Sequence, residues 1–243
     1  MTELDIVIPV YNEGANIAAV LDTLKAKVKT PFRLLVVYDR DDDDTLPVLK
    51  GCKAPFEIVP VKNRGAGAFE AVMTGFAKST AEAVLLFPAD DVTNAGMLDT
   101  LFAKIKDGCD LACASRFMPG GAMIGCPWLK ALLVRGSAWA LHTFAGVPTR
   151  DPSNGFRMFS RRALRDIVIE STQGFTYSIE LLVKCQRLGW RVAEVPAVWI
   201  ERGKGQSRFR VIKWLPAYLR WFFYAFATSW LGRGPQTVRL RTT

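Results

Sequence analysis

Apolar residues along this chain fall in short, unbroken runs: LDIVIPV (Leu4 to Val10), RLLVVY (Arg33 to Tyr38), FEIV (Phe56 to Val59), AVLLFP (Ala83 to Pro88) and DLACAS (Asp110 to Ser115). Continuous rather than alternating apolarity predicts strands covered on both faces. Between them, Asn16 to Val28, Ala66 to Lys78 and Gly96 to Lys106 carry helical spacing. The repeated strand, helix, strand order predicts an α/β fold, a mostly parallel sheet wound with helices on both sides. Ligands of such sheets bind beyond the carboxyl ends of the strands, so the residues after each run are the candidates for chemistry. After Ser115 the rhythm changes. A Gly/Pro-rich stretch leads to a long helical segment, Trp128 to Phe144; then come a loop, RDPSNGFRMFS, a helix around Tyr177 to Leu188, and the run VAEVPAVW.

The last apolar stretch, Val211 to Leu231, is aromatic and interrupted by Lys213, Pro216 and Arg220. That leaves too short an uninterrupted run for a membrane span, which needs about 20 apolar residues. An interfacial amphipathic helix is predicted, with packing on the preceding domain or on a membrane protein as the alternative. The division expected is residues 1–209 as one domain and 210–243 as a basic, aromatic tail. Charge sharpens this reading: Glu201 to Thr243 holds nine basic residues and one acidic residue, +8 of the formal +9 of the whole chain. Anionic lipid, nucleic acid and phosphorylated ligands all complement such a tail. The five cysteines (Cys52, Cys109, Cys113, Cys126, Cys185) lack paired spacing and suggest neither a disulfide framework nor a zinc site. With no secretory pattern at the start, a cytoplasmic location is expected.

Three strand ends carry candidate chemistry. PVYNEG presents Pro9, Tyr11 and Glu13 where a nucleotide could lie, or else forms a helix entry capped near Asn12. YDRDDDDT packs five aspartates into six positions. Asp43 or Asp44 is expected to cap the helix starting near Thr45, leaving Asp39 to accept from a nucleobase. FPADDVTN sets Asp90 and Asp91 at the sheet edge, where they suit a hard divalent cation, Mg2+ or Mn2+, or form an N-cap beside a surface acid. An acidic loop at this edge speaks against nucleic acid as the ligand.

In order along the chain, VIPVYNE, VVYDRDDDDT, KNRGAGAFEAVMTG, LLFPADD and ASRF resemble the family 2 glycosyltransferases of GT-A fold, a Rossmann-like nucleotide-diphospho-sugar transferase architecture. DPSNGFRMFSRRAL, GFTYSIELLVKCQRLGWRVAEVPAVW and ERGKGQSRF extend the resemblance toward the dolichol-phosphate mannosyltransferase and polyprenyl-phosphate glycosyltransferase branch. The resemblance spans roughly Leu4 to Phe209. It implies that Pro9, Tyr11, Glu13 and Asp39 hold the nucleoside and that Asn63, Arg64, Gly65 and Gly67 close over it. Asp90 matches the second aspartate of the family's metal motif, with Pro88 standing where the first would be. Tyr38 and Arg40 likewise replace the first aspartate and the glycine of the commoner acidic-loop pattern.

The reaction implied is transfer of a sugar from a nucleotide diphosphate, with a divalent cation on Asp90 and Asp91 and with Arg116 and Arg202 serving the catalytic centre. A lipid phosphate acceptor needs no general base, because a phosphate monoester is mostly ionised at neutral pH, but it needs cations. Arg116, Lys130, Arg135, Arg202, Ser207 and Arg208 are the candidates. Asp151, Asn154 and Arg157 resemble an acceptor-side loop. Glu180 matches a family acidic position, either as a base for a hydroxyl acceptor or as the partner that holds Arg202 or Arg116. The only histidine, His142, is expected to pack. A protein peripheral on the cytoplasmic face of a membrane follows from the lipid acceptor and the basic tail.

Overall fold

The computed structural model describes residues 3–200 and 211–241. β1 (Leu4–Val10) is buried at every position except Pro9, and its side chains alternate between two cores. Ile6 and Ile8 face one core with Ile17, Leu24, Leu101 and Ile105; Val7 faces the other with Val72, Phe76 and Leu181. This is the period-two geometry of a strand covered on both sides. The first core is closed by α1 (Gly14–Lys27) and α4 (Leu98–Lys106), the second by α3 (Ala68–Lys78) and α7 (Thr176–Leu188). Gly75 lets α3 approach the sheet, since a Cβ there would collide with Val7 Cγ1.

β2 (Phe32–Tyr38), β3 (Glu57–Lys62) and β4 (Ala83–Leu86) run parallel to β1, with Val10 level with Tyr38 and Tyr38 level with Lys62. β5 (Leu111–Ser115) and β8 (Val192–Pro196) pair in parallel at the other side. The sheet order is β3-β2-β1-β4-β7-β5-β8, and β7 (Arg157–Ser160) is the one antiparallel strand among them. The sequence reading of this stretch as a loop is corrected: three of its four residues are buried, and the apolar signal is broken by Arg157, itself buried. Because β7 runs backwards, the loop before it emerges at the carboxyl edge of β4 and β5, among the candidate residues. β6 (Ala122–Ile124) and β9 (Val198–Ile200) form a separate parallel pair.

α2 (Thr45–Gly51), α5 (Trp128–Phe144) and α6 (Arg161–Asp166) complete the helices before the tail. At the opposite end of the sheet, Asp5 is wholly buried. Burial alone would raise its pKa, but hydrogen bonds from Arg33, Ser79 and Thr80 outweigh this and hold it below the usual carboxylate value.

The tail forms α8 (Val211–Trp230), which packs along α7 and α5. Trp221 and Ala225 are buried, and Trp221 Nε1 donates to Ser171 Oγ at 3.0 Å. Arg187 of α7 donates to Thr228 Oγ1 at 2.9 Å and to the Tyr224 carbonyl at 2.7 Å. One side of the tail helix is therefore fixed to the domain. Among the described residues no helix is long and apolar enough to cross a membrane.

Candidate active site at the carboxyl edge of the sheet

The turn after β1 is held by the acidic loop after β2. The backbone N–H groups of Asn12, Glu13 and Gly14 donate to Asp43 Oδ2 (3.0 Å), Thr45 Oγ1 (3.0 Å) and Asp44 Oδ1 (2.8 Å). These are orphan donors at the start of α1, where carboxylates are favoured. Asn12 takes a left-handed φ of 54°, which its side chain tolerates. Asp43 also accepts from Thr45 N at 2.9 Å, as expected of a cap for α2, whereas Asp44 serves α1 instead. Asp42 pairs with Arg40 and Asp41 with Lys62, both exposed.

Asp39 organises the loop after β3. It accepts from Asn63 Nδ2 at 2.6 Å and from Gly67 N at 2.8 Å. Asn63, buried, accepts through Oδ1 from Thr74 Oγ1 at 2.9 Å and from Gly65 N at 3.3 Å. Asp39, Asn63, Gly65 and Gly67 thus form one loop over the ends of β2 and β3. Gly67 needs its glycine for a φ of 86°, and a Cβ on Gly65 would lie 2.7 Å from Glu70 Cγ. Arg64, exposed in the same loop, donates its backbone N–H to Thr74 Oγ1. Pro9 and Glu13 are half-buried and Tyr11 exposed at this edge; Glu13 accepts from Asn16 Nδ2 at 2.7 Å. Asp39, expected to be left for a nucleobase, already has two donors; a carboxylate offers about four acceptor sites, so capacity remains.

β4 is followed by two adjacent aspartates. Asp91 Oδ1 accepts from Thr93 N and Asn94 N, both at 2.8 Å, and Oδ2 accepts from Asn94 Nδ2 at 2.6 Å. Asn94 in turn donates to the Val198 carbonyl (2.8 Å) and accepts from Val198 N (3.0 Å), tying this loop to β9. Asp91 is thereby the N-terminal ligand of a short 3-10 turn, Asn94–Met97, and Asp90 stands half-buried before it. Among the described residues no three metal-ligating side chains cluster. The donor set fits an open cation site in which one carboxylate is joined by phosphate oxygens and water, the arrangement Mg2+ commonly adopts.

Arg116 follows β5 and is clamped by Asp151. Its N and Nε donate to Asp151 Oδ2 at 2.9 and 2.6 Å, and Nη2 donates to Asp151 Oδ1 and Ser153 Oγ, both at 2.8 Å. The guanidinium lies 5.1 Å from the Phe117 ring centre, and that of Arg135 lies 5.6 Å from the same ring. Asn154 donates to the Ala114 carbonyl at 2.9 Å, fixing the loop to β5. Lys130 sits 4.8 Å from the Trp199 ring centre, and His142 Nδ1 is 2.9 Å from the Val147 carbonyl. We expect Asp151→Asn, which keeps the shape but removes the charge facing a mostly buried Arg116, to cost about 1–3 kcal/mol of stability in urea denaturation.

Two residues expected on the acceptor side are buried. Arg157 is wholly buried and donates to the carbonyls of Pro152 (2.6 Å) and Ser178, so it locks the loop to α7. Glu180 is also wholly buried. It accepts from Glu170 N (2.6 Å) and Ser171 N (2.8 Å) and pairs with Lys184 Nζ at 2.6 Å. Among the described residues its partners are Lys184 and these two backbone N–H groups, and Arg116 is held by Asp151; Arg202, the other partner expected for Glu180, lies outside the described residues. Arg202, Ser207 and Arg208 lie outside the described residues. Sequence reasoning passed over Asn94, although the Asp-x-x-Asn spacing from Asp91 is a turn signal.

Residues 5–170 match the model of glycosyl transferase family 2. An uncharacterized glycosyltransferase of Mycobacterium tuberculosis is 31% identical over 204 residues, 84% of this chain and 88% of that protein. A polyprenol monophosphomannose synthase of Mycolicibacterium smegmatis is 26% identical over 227 residues, 86% of this chain and 85% of its own. Among solved structures, glucosyl-3-phosphoglycerate synthase of Mycobacterium tuberculosis, in complex with Mn2+, UDP and glucosyl-3-phosphoglycerate, superposes with a TM-score of 0.64 at 20% identity, over 93% of this chain and 79% of that one. That last likeness is one of fold.

Proposed function

We propose, from the premise that this chain belongs to glycosyl transferase family 2 and is a glycosyltransferase, that it moves a hexose or similar sugar from a nucleoside diphosphate to a polyprenyl phosphate with inversion. The likeness to a polyprenol monophosphomannose synthase over most of both chains supports the acceptor class. The observation that carries the reading is the state of two acceptor-side carboxylates. Glu180 and Asp151 are both fully buried and ion-paired, Glu180 with Lys184 and Asp151 with Arg116. A hydroxyl acceptor would require a base within reach of its proton. A phosphate monoester, with its second pKa near ~6, is already ionised and attacks without one.

In the proposed reaction a phosphate oxygen of the acceptor bonds to the anomeric carbon while the bond from that carbon to the diphosphate breaks, and the electron pair leaves with the diphosphate. The Asp39, Asn63 and Gly67 loop encloses the nucleoside. Arg116 is held in one orientation by Asp151 and Ser153, and its Nη1 donates to Met123 Sδ at 3.9 Å, a weak acceptor that the acceptor phosphate would replace. Arg135 and Lys130 add positive charge beside it, and the Arg202, Ser207 and Arg208 element is assigned to the same phosphate. A divalent cation held by Asp90 and the donor's phosphate oxygens would neutralise the leaving diphosphate. Asp91 positions Asp90 through the loop it caps. We place the protein at the cytoplasmic face of a membrane, with the exposed Arg233 and Arg241 of the tail toward anionic headgroups.

Incubation with labelled nucleotide sugars, Mn2+ or Mg2+, and polyprenyl phosphate, followed by solvent extraction, tests this. Label should enter the organic phase with at least one donor and stay aqueous when EDTA is present. Label that remains aqueous with every donor would overturn the lipid acceptor.

A further inference from the structure

α5 leaves a broad apolar surface uncovered. Trp128 is 76% exposed, Leu129 53%, Leu132 61%, Leu133 65% and Trp139 60%, and Phe144 at the helix end is 48% exposed. At about 100° per residue these six lie within roughly 160° of arc on the helix. Lys130 and Arg135 border the arc on opposite sides. Only Ala138 and Leu141 of the helix are buried, so most of its apolar content is not used in the core. Large, contiguous exposed apolar surface marks an interaction site.

Charge selects the partner. Residues 118–150 contain no aspartate or glutamate, and their charged side chains are Lys130, Arg135 and Arg150. An apolar helix face with tryptophans, edged by cations and free of acids, is the composition that lies in the headgroup region of an anionic bilayer. The position supports the same partner. Arg135 on one edge of the arc and Arg116 of the site lie over the same Phe117 ring, at 5.6 and 5.1 Å from its centre. A bilayer against α5 would therefore meet the acceptor side of the active site. α8 likewise buries two residues, Trp221 and Ala225, on the domain and exposes Leu219 and Phe223.

We propose that the exposed face of α5 inserts into the interface of an anionic lipid bilayer and sets Arg116 beside the headgroups, so that a lipid phosphate acceptor reaches the site without leaving the membrane. The role given to the acceptor rests on the function proposed above; the docking itself does not.

Flotation with vesicles of about three parts phosphatidylcholine to one part phosphatidylglycerol, without donor or acceptor, tests the docking. The protein should float, and L132Q/L133Q, which alters two exposed positions, should lower partition roughly tenfold or more. Failure of the parent protein to float, or equal binding by L132Q/L133Q, would overturn the proposal. So would a dimer in sedimentation velocity that L132Q/L133Q abolishes, since a second copy would then cover the face. Sugar transfer to polyprenyl phosphate dispersed in detergent is measured separately: transfer there with no vesicle binding removes the docking and leaves the acceptor assignment intact.

Discussion

Asp90→Ala should reduce turnover by about 10²-fold or more and weaken binding of Mn2+ in the presence of nucleoside diphosphate, followed by electron paramagnetic resonance. The size is that of removing one electrostatic group that acts on developing charge. The adjacent residue provides the contrast. Asp91 is occupied by Thr93, Asn94 and the link to Val198, and Asn at this position can still accept from the two backbone N–H groups. Asp91→Asn should therefore retain most of the activity, within about tenfold of the parent protein. If the two carboxylates shared a cation equally, both substitutions would be equally damaging. Full activity in Asp90→Ala would refute the metal assignment.

Glu180→Leu should destabilise the fold by about 3–5 kcal/mol, a large part of a typical total of about 5–15 kcal/mol. The cause is the charge left behind. Lys184 has 1% of its side chain exposed and would lose its nearest carboxylate at 2.6 Å, keeping only Glu170 at 2.8 Å. The effect should reach the tail, because Glu180 holds Ser171 N, Ser171 Oγ receives Trp221 Nε1, and Lys184 Nζ lies 5.1 Å from the Trp221 ring centre. Urea denaturation gives the loss, and quenching of tryptophan fluorescence reports the exposure of Trp221. Adding Lys184→Met should recover part of the stability, since replacing both partners removes the unpaired charge. If Glu180→Leu alone left stability unchanged, the buried pair would not be holding this region.

How far the sequence revealed the structure depends on where each residue finds its partners. β1, β2, β4 and β5 were legible because each is covered on both faces and reads as one apolar run. β3 is an edge strand with exposed positions, so the run at Phe56 to Val59 marks its core but not its end at Lys62. β7 was hidden by the turn residues before it and by Arg157 within it, a cation that belongs to the interior only because three backbone carbonyls converge on it. The candidate residues after β1, β2, β4 and β5 share one edge because parallel strands bring their carboxyl ends together. Their partners were not found. Nothing local joins Asp39 to Gly67, Asp44 to Gly14, or Arg116 to Asp151, and these bonds between distant segments decide which carboxylates hold the scaffold. One pairing was foreseeable. Glu180 and Lys184 stand four residues apart on a helix, a spacing that pairs opposite charges.

The most direct test of the central claim offers purified protein a nucleotide sugar with polyprenyl phosphate and phosphoglycerate together, and weighs the products by mass spectrometry. The account predicts polyprenyl phosphate carrying one added sugar, with phosphoglycerate unchanged. Glycosylated phosphoglycerate with unmodified lipid would contradict it, and would place the acceptor in solution.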